Sequence, residues 1–169
     1  MKKSFRCFVI IIAIALSEVA ISSCEKPSVF EDEDLINSFY QKSVDTLVYE
    51  SSNYILETEL YRNFMPGGPL SGDRPLISIL YLTNLDSLQV SDNLKLEKVY
   101  VINDKLIYKD IPEFLEDNYL PDFKRSYICR EGPEWETEIN VDVVIKLIEN
   151  ISSENFYIIS RNQPIEKVW

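Results

Sequence analysis

The sequence predicts an all-β domain with one short helix. Downstream of residue 52, short runs rich in β-branched and aromatic residues are separated at regular intervals by turn residues. Several of these runs alternate apolar and polar side chains with a period of two, as half-buried strands do. The stretch is long enough to enclose one hydrophobic core. We therefore expect a single β-sandwich or barrel of about seven strands.

The first two predicted strands differ in whether one or both of their faces are apolar. Residues 54–61 place Tyr54, Leu56 and Leu60 on one face and two glutamates on the other, which is typical of an edge strand. Residues 76–83 are apolar on both faces, so we expect this strand to be central and covered on both sides.

The third strand, residues 95–102, changes phase. Leu96 belongs to one face and Val99 to the other, and a bulge near Glu97 would reconcile them. A tight turn at Asn103-Asp104 then leads into a fourth strand, residues 105–109. Next, Asp110 and Pro112 favour a short helix through residue 118, because they match an Asx cap followed by an early proline.

The last three predicted strands are residues 123–131, 141–149 and 156–161. In the sixth, Val141, Val143, Ile145 and Leu147 face inward, while Asp142 and Lys146 face outward. Residues 150–155 turn the chain back, so the last two strands form a hairpin.

Seven strands in about a hundred residues match the count of an immunoglobulin-like sandwich. The cysteine pair and central tryptophan of antibody domains are absent from the sequence. A closed barrel, or an α+β meander with one helix, would give a similar pattern of runs and turns.

The N-terminal segment has the features of a secretory signal. Lys2, Lys3 and Arg6 precede the apolar residues 8–16, a run too short to span a bilayer as a helix. The sequence Ile21-Ser22-Ser23-Cys24 resembles the lipobox of bacterial lipoproteins. This resemblance implies that Cys24 is acylated, with palmitate among its chains, and becomes the first mature residue. An ordinary signal peptide cut near Ala20, or a transmembrane anchor, is the alternative.

An acidic run follows the cysteine at Glu31-Asp32-Glu33-Asp34. It resembles the export signal of surface lipoproteins of Bacteroidetes, which implies anchoring in the bacterial outer membrane with surface exposure. A solvated linker, or a weak calcium site, would have the same composition. Residues 35–40 carry apolar side chains at helical spacing, so one short helix is expected there. The predicted division is a signal peptide at 1–23, a lipidated acidic tether at 24–52 and the β domain at 53–169.

Composition limits the chemistry. The chain has 17 basic and 28 acidic residues, a formal net charge of −11, so it would repel nucleic acid. Histidine is absent, which excludes serine–histidine and cysteine–histidine catalysis. Cys7 is lost with the signal and Cys24 is acylated, so Cys129 is the remaining thiol. It lies in a strand-like run, where we expect a buried, inert side chain. No cofactor or metal is predicted.

Three residues are candidates for ligand binding. Trp135 lies in a Gly-Pro turn, where a large aromatic can remain exposed, and Tyr119, Tyr127 and Trp169 could join it. Asp73 and Arg74 end the glycine- and proline-rich loop 66–75, which is either a simple connection or a recognition loop. The alternative role for Trp135 is to cap an open end of the sandwich.

The leading functional hypothesis is a membrane-tethered, non-enzymatic domain that binds an envelope protein or a glycan. The second is a structural subunit of an envelope assembly that pairs through the edge strand at residues 54–61. A hydrolase that uses carboxylates is the third.

Overall fold

The computed structural model describes residues 26–66 and 73–169. In these residues it contains ten strands and one helix, which confirms the prediction of a mostly β protein with a short helix. The elements in chain order are β1 (Ser28–Glu31), α1 (Glu33–Lys42), β2 (Leu47–Tyr49), β3 (Ser52–Asn63), β4 (Leu76–Asn84), β5 (Leu94–Asn103), β6 (Leu106–Asp110), β7 (Glu113–Leu115), β8 (Lys124–Gly132), β9 (Asn140–Glu149) and β10 (Asn155–Val168).

The strands form one curled sheet in the order β1-β6-β5-β9-β10-β3-β4-β8-β7, with β2 added on β3. Strand β10 joins its two halves. The first part of β10 pairs antiparallel with β9, and its last residues pair parallel with β3, with Ile165 opposite Leu60. We call the half formed by β1, β6, β5, β9 and the start of β10 the helix-covered half, and the half formed by β3, β4, β8 and β7 the open half.

The main core lies between the two halves. Leu56, Leu60, Leu80 and Leu82 of the open half share one buried cluster with side chains of β5, β9 and β10. The four residues predicted to face inward from β9 belong to this cluster: Val141, Val143, Ile145 and Leu147. The register of the sixth predicted strand is therefore confirmed.

Helix α1 covers the outer face of the helix-covered half. Ile36 and Phe39 form a second buried cluster with Tyr100, Val144 and Ile159. The ring centroids of Phe39 and Tyr100 lie 4.5 Å apart. This helix is the one that the spacing of residues 35–40 predicted.

The acidic run is part of the folded domain. Glu31 ends β1, which pairs with β6, and the side chain of Asp32 accepts a hydrogen bond from the Leu35 N–H, 2.8 Å away, as the N-cap of α1. Glu33 and Asp34 occupy the first turn of α1, where negative charge complements the helix dipole. The stretch predicted as a tether thus contributes β1, α1 and β2 to the domain.

Several local predictions are confirmed. The register between β5 and β9 shifts between Leu96 and Lys98, where the bulge was expected. Strands β5 and β6 form the predicted hairpin, and Asp104 in its turn has a φ of 54°. Strands β9 and β10 form the second hairpin.

Two predictions about strand position need correction. Strand β3 is not an edge strand, because its other side pairs with β2 at Ser52–Tyr54 and with the end of β10 at Leu60–Asn63. Strand β4 is central, as predicted, but only one of its faces is fully buried. Ile77, Ile79 and Tyr81 on its other face are half-buried.

The helix predicted for residues 110–118 is also wrong. Residues 113–115 form β7 instead, with Phe114 opposite Tyr127 of β8. The carboxylate of Asp110 accepts hydrogen bonds from the Tyr108 hydroxyl and the Ile111 N–H, so it does not cap a helix. Pairing with the edge of β8 satisfies the backbone groups that a short helix would otherwise satisfy.

The sheet has two ends that carry its loops. At the proximal end β4 and β9 end, and the loops 85–93, 116–123 and 150–154 lie there, whereas β6 ends at mid-height, with Asp110 opposite Val99. At the distal end β3 and β10 end, and β4 and β9 begin. Strand β1 runs from the level of Lys109 towards Leu106, so it begins at mid-height of the sheet and runs towards the distal end.

Candidate binding surface at the distal end of the sheet

Arg62, near the end of β3, holds the distal loops together. Its Nε donates a hydrogen bond to the carbonyl oxygen of Arg74 at 2.6 Å, and its Nη1 donates to the carbonyl oxygen of Trp135 at 2.7 Å. Its Nη2 lies 3.3 Å from a carboxylate oxygen of Glu134. Because the Arg62 side chain is largely buried, these bonds fix the positions of two loops that are far apart in sequence.

Glycine at position 132 allows the turn that carries Trp135 to lie close to β4. A Cβ atom added there would lie 2.7 Å from the carbonyl oxygen of Leu76, which is too close for any side chain. Gly132 pairs with Leu76 at the end of β8, and the chain then turns through Pro133 to Trp135.

Trp135 itself is half-buried and packs against the main core. The side chain is therefore not fully buried, as expected, and its packing is compatible with the alternative capping role, while ligand binding at Trp135 stays a prediction. Of the three aromatics expected beside it, Tyr127 is buried and Tyr119 lies at the proximal end. Only Trp169 is exposed at the distal end, with 73% of its surface accessible.

Arg74 is half-buried and Asp73 is exposed. The backbone N–H of Arg74 donates to a carboxylate oxygen of Glu134 at 2.7 Å, and its Nη1 donates to the carbonyl oxygen of Asn63 at 3.1 Å. Arg74 and Trp135 are therefore brought to the same end of the sheet through Arg62 and Glu134. Loop residues 67–72 lie outside the described residues, as does Cys24.

A layered group of cationic and aromatic side chains covers this end. The Phe64 ring has the Arg62 guanidinium 5.3 Å, the Arg74 guanidinium 5.8 Å and the Lys167 ammonium 4.8 Å from its centroid. The Lys167 ammonium also lies 3.8 Å from the centroid of Trp169. These five residues form what we call the aromatic–cationic surface: Arg62, Phe64, Arg74, Lys167 and Trp169.

The parallel pairing of β10 with β3 creates this surface. Lys167 lies opposite Arg62 in the register, and the Phe64 N–H donates to the carbonyl oxygen of Val168 at 2.7 Å. Three cations thereby meet two aromatic rings on a chain whose net charge is strongly negative. Cation–π contacts of this kind stabilise both partners and keep the rings in fixed orientations.

The outer face of the open half carries a separate polar cluster. Lys124 donates to Glu57 at 2.7 Å, and the Thr83 hydroxyl donates to the same carboxylate at 2.5 Å. Partial burial by itself raises the pKa of Glu57, but the two hydrogen bonds outweigh it and lower the pKa below its ordinary value. Glu57 is therefore held ionised and is poorly suited to act as a general acid.

Cys129 is buried on the inner face of β8, as predicted. Burial raises the pKa of its thiol, which disfavours the reactive thiolate. Within residues 26–66 and 73–169, no cluster of three or more histidine, cysteine, aspartate or glutamate side chains could hold a metal ion. No helix in the described part of the chain has the length and apolar character needed to cross a membrane.

Comparisons with known proteins add no functional information. The chain matches no protein-family model, and no curated protein and no solved structure is significantly similar to it.

Proposed function

We propose that this chain is an exported envelope lipoprotein, anchored in the bacterial outer membrane through acylated Cys24, whose non-enzymatic β domain binds a glycan or an envelope protein. The observation that carries the binding role is the aromatic–cationic surface. It presents an exposed tryptophan, held by a lysine, on a rigid pair of strands.

The chemistry of this surface suits a sugar ring or an acidic peptide. Trp169 offers a flat apolar face on which a pyranose or an aliphatic side chain can stack. Lys167 beside it can donate hydrogen bonds to hydroxyl or carboxylate groups, and the exposed Asp73, next to Arg74 in sequence, can accept them from hydroxyl groups. The rest of the protein is acidic and would repel an acidic partner. The cations of this surface would therefore steer such a partner to the distal end.

The binding proposal is tested by replacing Trp169 with Ala in the full-length protein and probing a glycan array and purified envelope proteins. We expect binding to be lost, because the stacking face is removed. Tyr119→Ala is the matched control, since Tyr119 is also an exposed aromatic but lies at the proximal end. Equal binding by the two variants would contradict the proposed site.

The anchor is tested by replacing Cys24 with Ser and growing cells with labelled palmitate. The unchanged chain should incorporate the label and fractionate with the outer membrane, and the variant should do neither. A variant that remains tightly bound to membranes would contradict acylation at this residue.

For the finer architecture we retain the immunoglobulin-like sandwich as a proposal. It is supported by two mainly antiparallel sheet halves that enclose one core. A strand order matching that of a solved immunoglobulin-like domain would be the decisive comparison.

A structural role in an envelope assembly is the second candidate. The strand first expected to serve it, β3, lies inside the sheet, with β4 on one side and β2 and β10 at the two ends of the other, but the sheet order ends at β1 and β7. A neighbouring chain could extend the sheet at either edge. Cross-linking from Val29, on β1, to an envelope protein in intact cells would favour this role over ligand binding.

A further inference from the structure

Among the described residues, more large apolar side chains are exposed at the proximal end of the domain than at the distal end. Two large apolar side chains of the described residues are exposed at the distal end, Met65 and Trp169. At the proximal end the exposed large apolar side chains are Leu85, Leu88, Ile111, Phe114, Tyr119 and Ile151. Ile151 is 78% exposed and Tyr119 is 97% exposed, so neither is used in packing the domain.

These side chains come from loops that the topology places together. Leu85 and Leu88 follow β4, Tyr119 precedes β8, and Ile151 lies in the β9–β10 turn. Arg125, at the start of β8, donates hydrogen bonds to the carbonyl oxygens of Val90 and Ser91, which joins the first two loops. Asn150 donates from its side chain to the carbonyl oxygen of Asp92, which joins the third.

The chain enters the fold from the proximal side but at mid-height of the sheet, because Lys109, opposite Ser28, pairs with Tyr100 in the middle of β5. In the pairing of β1 with β6, Ser28 lies opposite Lys109, and the residues before Ser28 continue towards Asp110 and Ile111. Three residues separate Cys24 from Ser28 in the sequence. Fully extended, that stretch spans only about 14 Å, which is the farthest that a lipid on Cys24 could be attached from Ser28.

We propose that the proximal end is a membrane-contacting surface: its exposed apolar side chains insert into the headgroup region of the bilayer that holds the lipid anchor. The inference rests on the proposed acylation of Cys24. It adds an orientation, because the domain then lies against the bilayer by its proximal loops and presents the aromatic–cationic surface away from it.

The charge of the proximal end indicates which phospholipids this surface would contact. Exposed carboxylates lie among the apolar side chains, at Asp86, Asp92, Glu116, Asp117, Asp122 and Glu154. They would be repelled by anionic headgroups, so the surface fits a bilayer of net-neutral phospholipids. Aliphatic residues and a tyrosine with a free ring are the side chains that favour such an interface.

The test uses the full-length acylated protein in vesicles of phosphatidylcholine and phosphatidylethanolamine that contain a spin-labelled phosphatidylcholine. A fluorophore is attached at Leu88→Cys or Ile151→Cys, with Met65→Cys as the matched control at the distal end. The buried Cys129 should remain unlabelled, and the parent chain gives that background. We expect a loss of fluorescence at positions 88 and 151 and no loss at 65.

Flotation of the same vesicles separates the two proposals. If the protein floats but positions 88 and 151 are quenched no more than 65, the anchor stands and the membrane contact is overturned. If the protein does not float, both the proposed acylation of Cys24 and the proposed membrane contact are overturned.

A second variant asks whether the apolar side chains make the contact. In a chain with Leu88→Ser and Ile151→Ser, a fluorophore at Tyr119→Cys should lose most of the quenching that it shows without those changes. Unchanged quenching would mean that the short link to the lipid alone holds the loops near the bilayer, and the proposed contact would be wrong.

Discussion

The two halves of the curled sheet differ in how many of their faces are buried. In the helix-covered half, β9 has Val143 and Ile145 against the main core and Val144 against α1. In the open half, Leu80 of β4 is fully buried, while Ile79 and Tyr81 on the other face are half-buried. The sequence of β4 is apolar on both faces, but no helix of the described residues covers it. Apolar residues on both faces of a strand therefore allow both faces to be buried. Whether both are buried depends on an element that is distant in sequence.

Of the substitutions that test this difference, Phe39→Ala should destabilise the protein most. Phe39 is 1% exposed and lies between Tyr100 and Tyr157, so Phe39→Ala should lower the free energy of unfolding by about 3–5 kcal/mol. Ile79→Ala, on the uncovered face of β4, should lower it by clearly less. Chemical denaturation of both variants measures this, with the exposed Gln41→Ala as the control for α1. Equal losses for Phe39→Ala and Ile79→Ala would show that the two outer faces are equivalent.

A substitution inside the main core should have a slightly smaller effect. Ile145 is fully buried, so Ile145→Ala should cost about 2–5 kcal/mol, depending on how far the core can relax. Its neighbour Lys146 faces outward and pairs with Glu97 at 2.6 Å. Lys146→Ala removes that ion pair but opens no cavity in the main core, so it should cost less than Ile145→Ala. Equal shifts in the denaturation midpoint would contradict the register of β9.

The N-cap of α1 gives a third comparison. Asp32→Ala removes the hydrogen bond to the Leu35 N–H and should cost about 1 kcal/mol. Asp34 lies two residues further on, in the first turn of α1. Asp34→Ala removes a charge that interacts favourably with the helix dipole but no capping hydrogen bond, so it should cost less. Thermal unfolding of the two variants at low salt measures the difference. If Asp34→Ala were the more harmful, the cap would not be what fixes the start of the helix.

The polar cluster on the open half should give the smallest effect, and one that depends on pH. Because the pKa of Glu57 is lowered in the folded protein, its ion pair with Lys124 stabilises the fold above the ordinary pKa of 4.5. That stabilisation is lost as the pH falls through the lowered value. The side chain is 43% exposed, so Glu57→Gln should cost less than about 1 kcal/mol at neutral pH.

The pH dependence of Glu57→Gln is checked by thermal unfolding from neutral to acidic pH. The difference from the unchanged protein should shrink as the pH falls below the ordinary value for a glutamate. Glu166→Gln, at an exposed glutamate of β10, is the control and should be nearly silent. A difference that grows on acidification would mean that the carboxylate is destabilised in the fold.

Local sequence patterns determined which face of most strands is buried and where the chain turns. Alternation placed Tyr54, Leu56 and Leu60 inward, and the phase change near Glu97 located the bulge. The side-chain period of a strand is two, so this information lies within a few residues. The same information placed Cys129 in the core.

Tertiary structure alone decided which strands are neighbours and what the distal end contains. Nothing near β3 in sequence shows that β10 will pair with it, and β7 forms only because β8 offers an edge. The sequence predicted Asp73, Arg74 and Trp135 as site residues, but not Arg62. Arg62 hydrogen-bonds to the backbone of both Arg74 and Trp135, and it precedes Trp135 by 73 positions. Strand pairing and buried hydrogen bonds connect residues far apart in the chain, so their partners are fixed only when the whole sheet has formed.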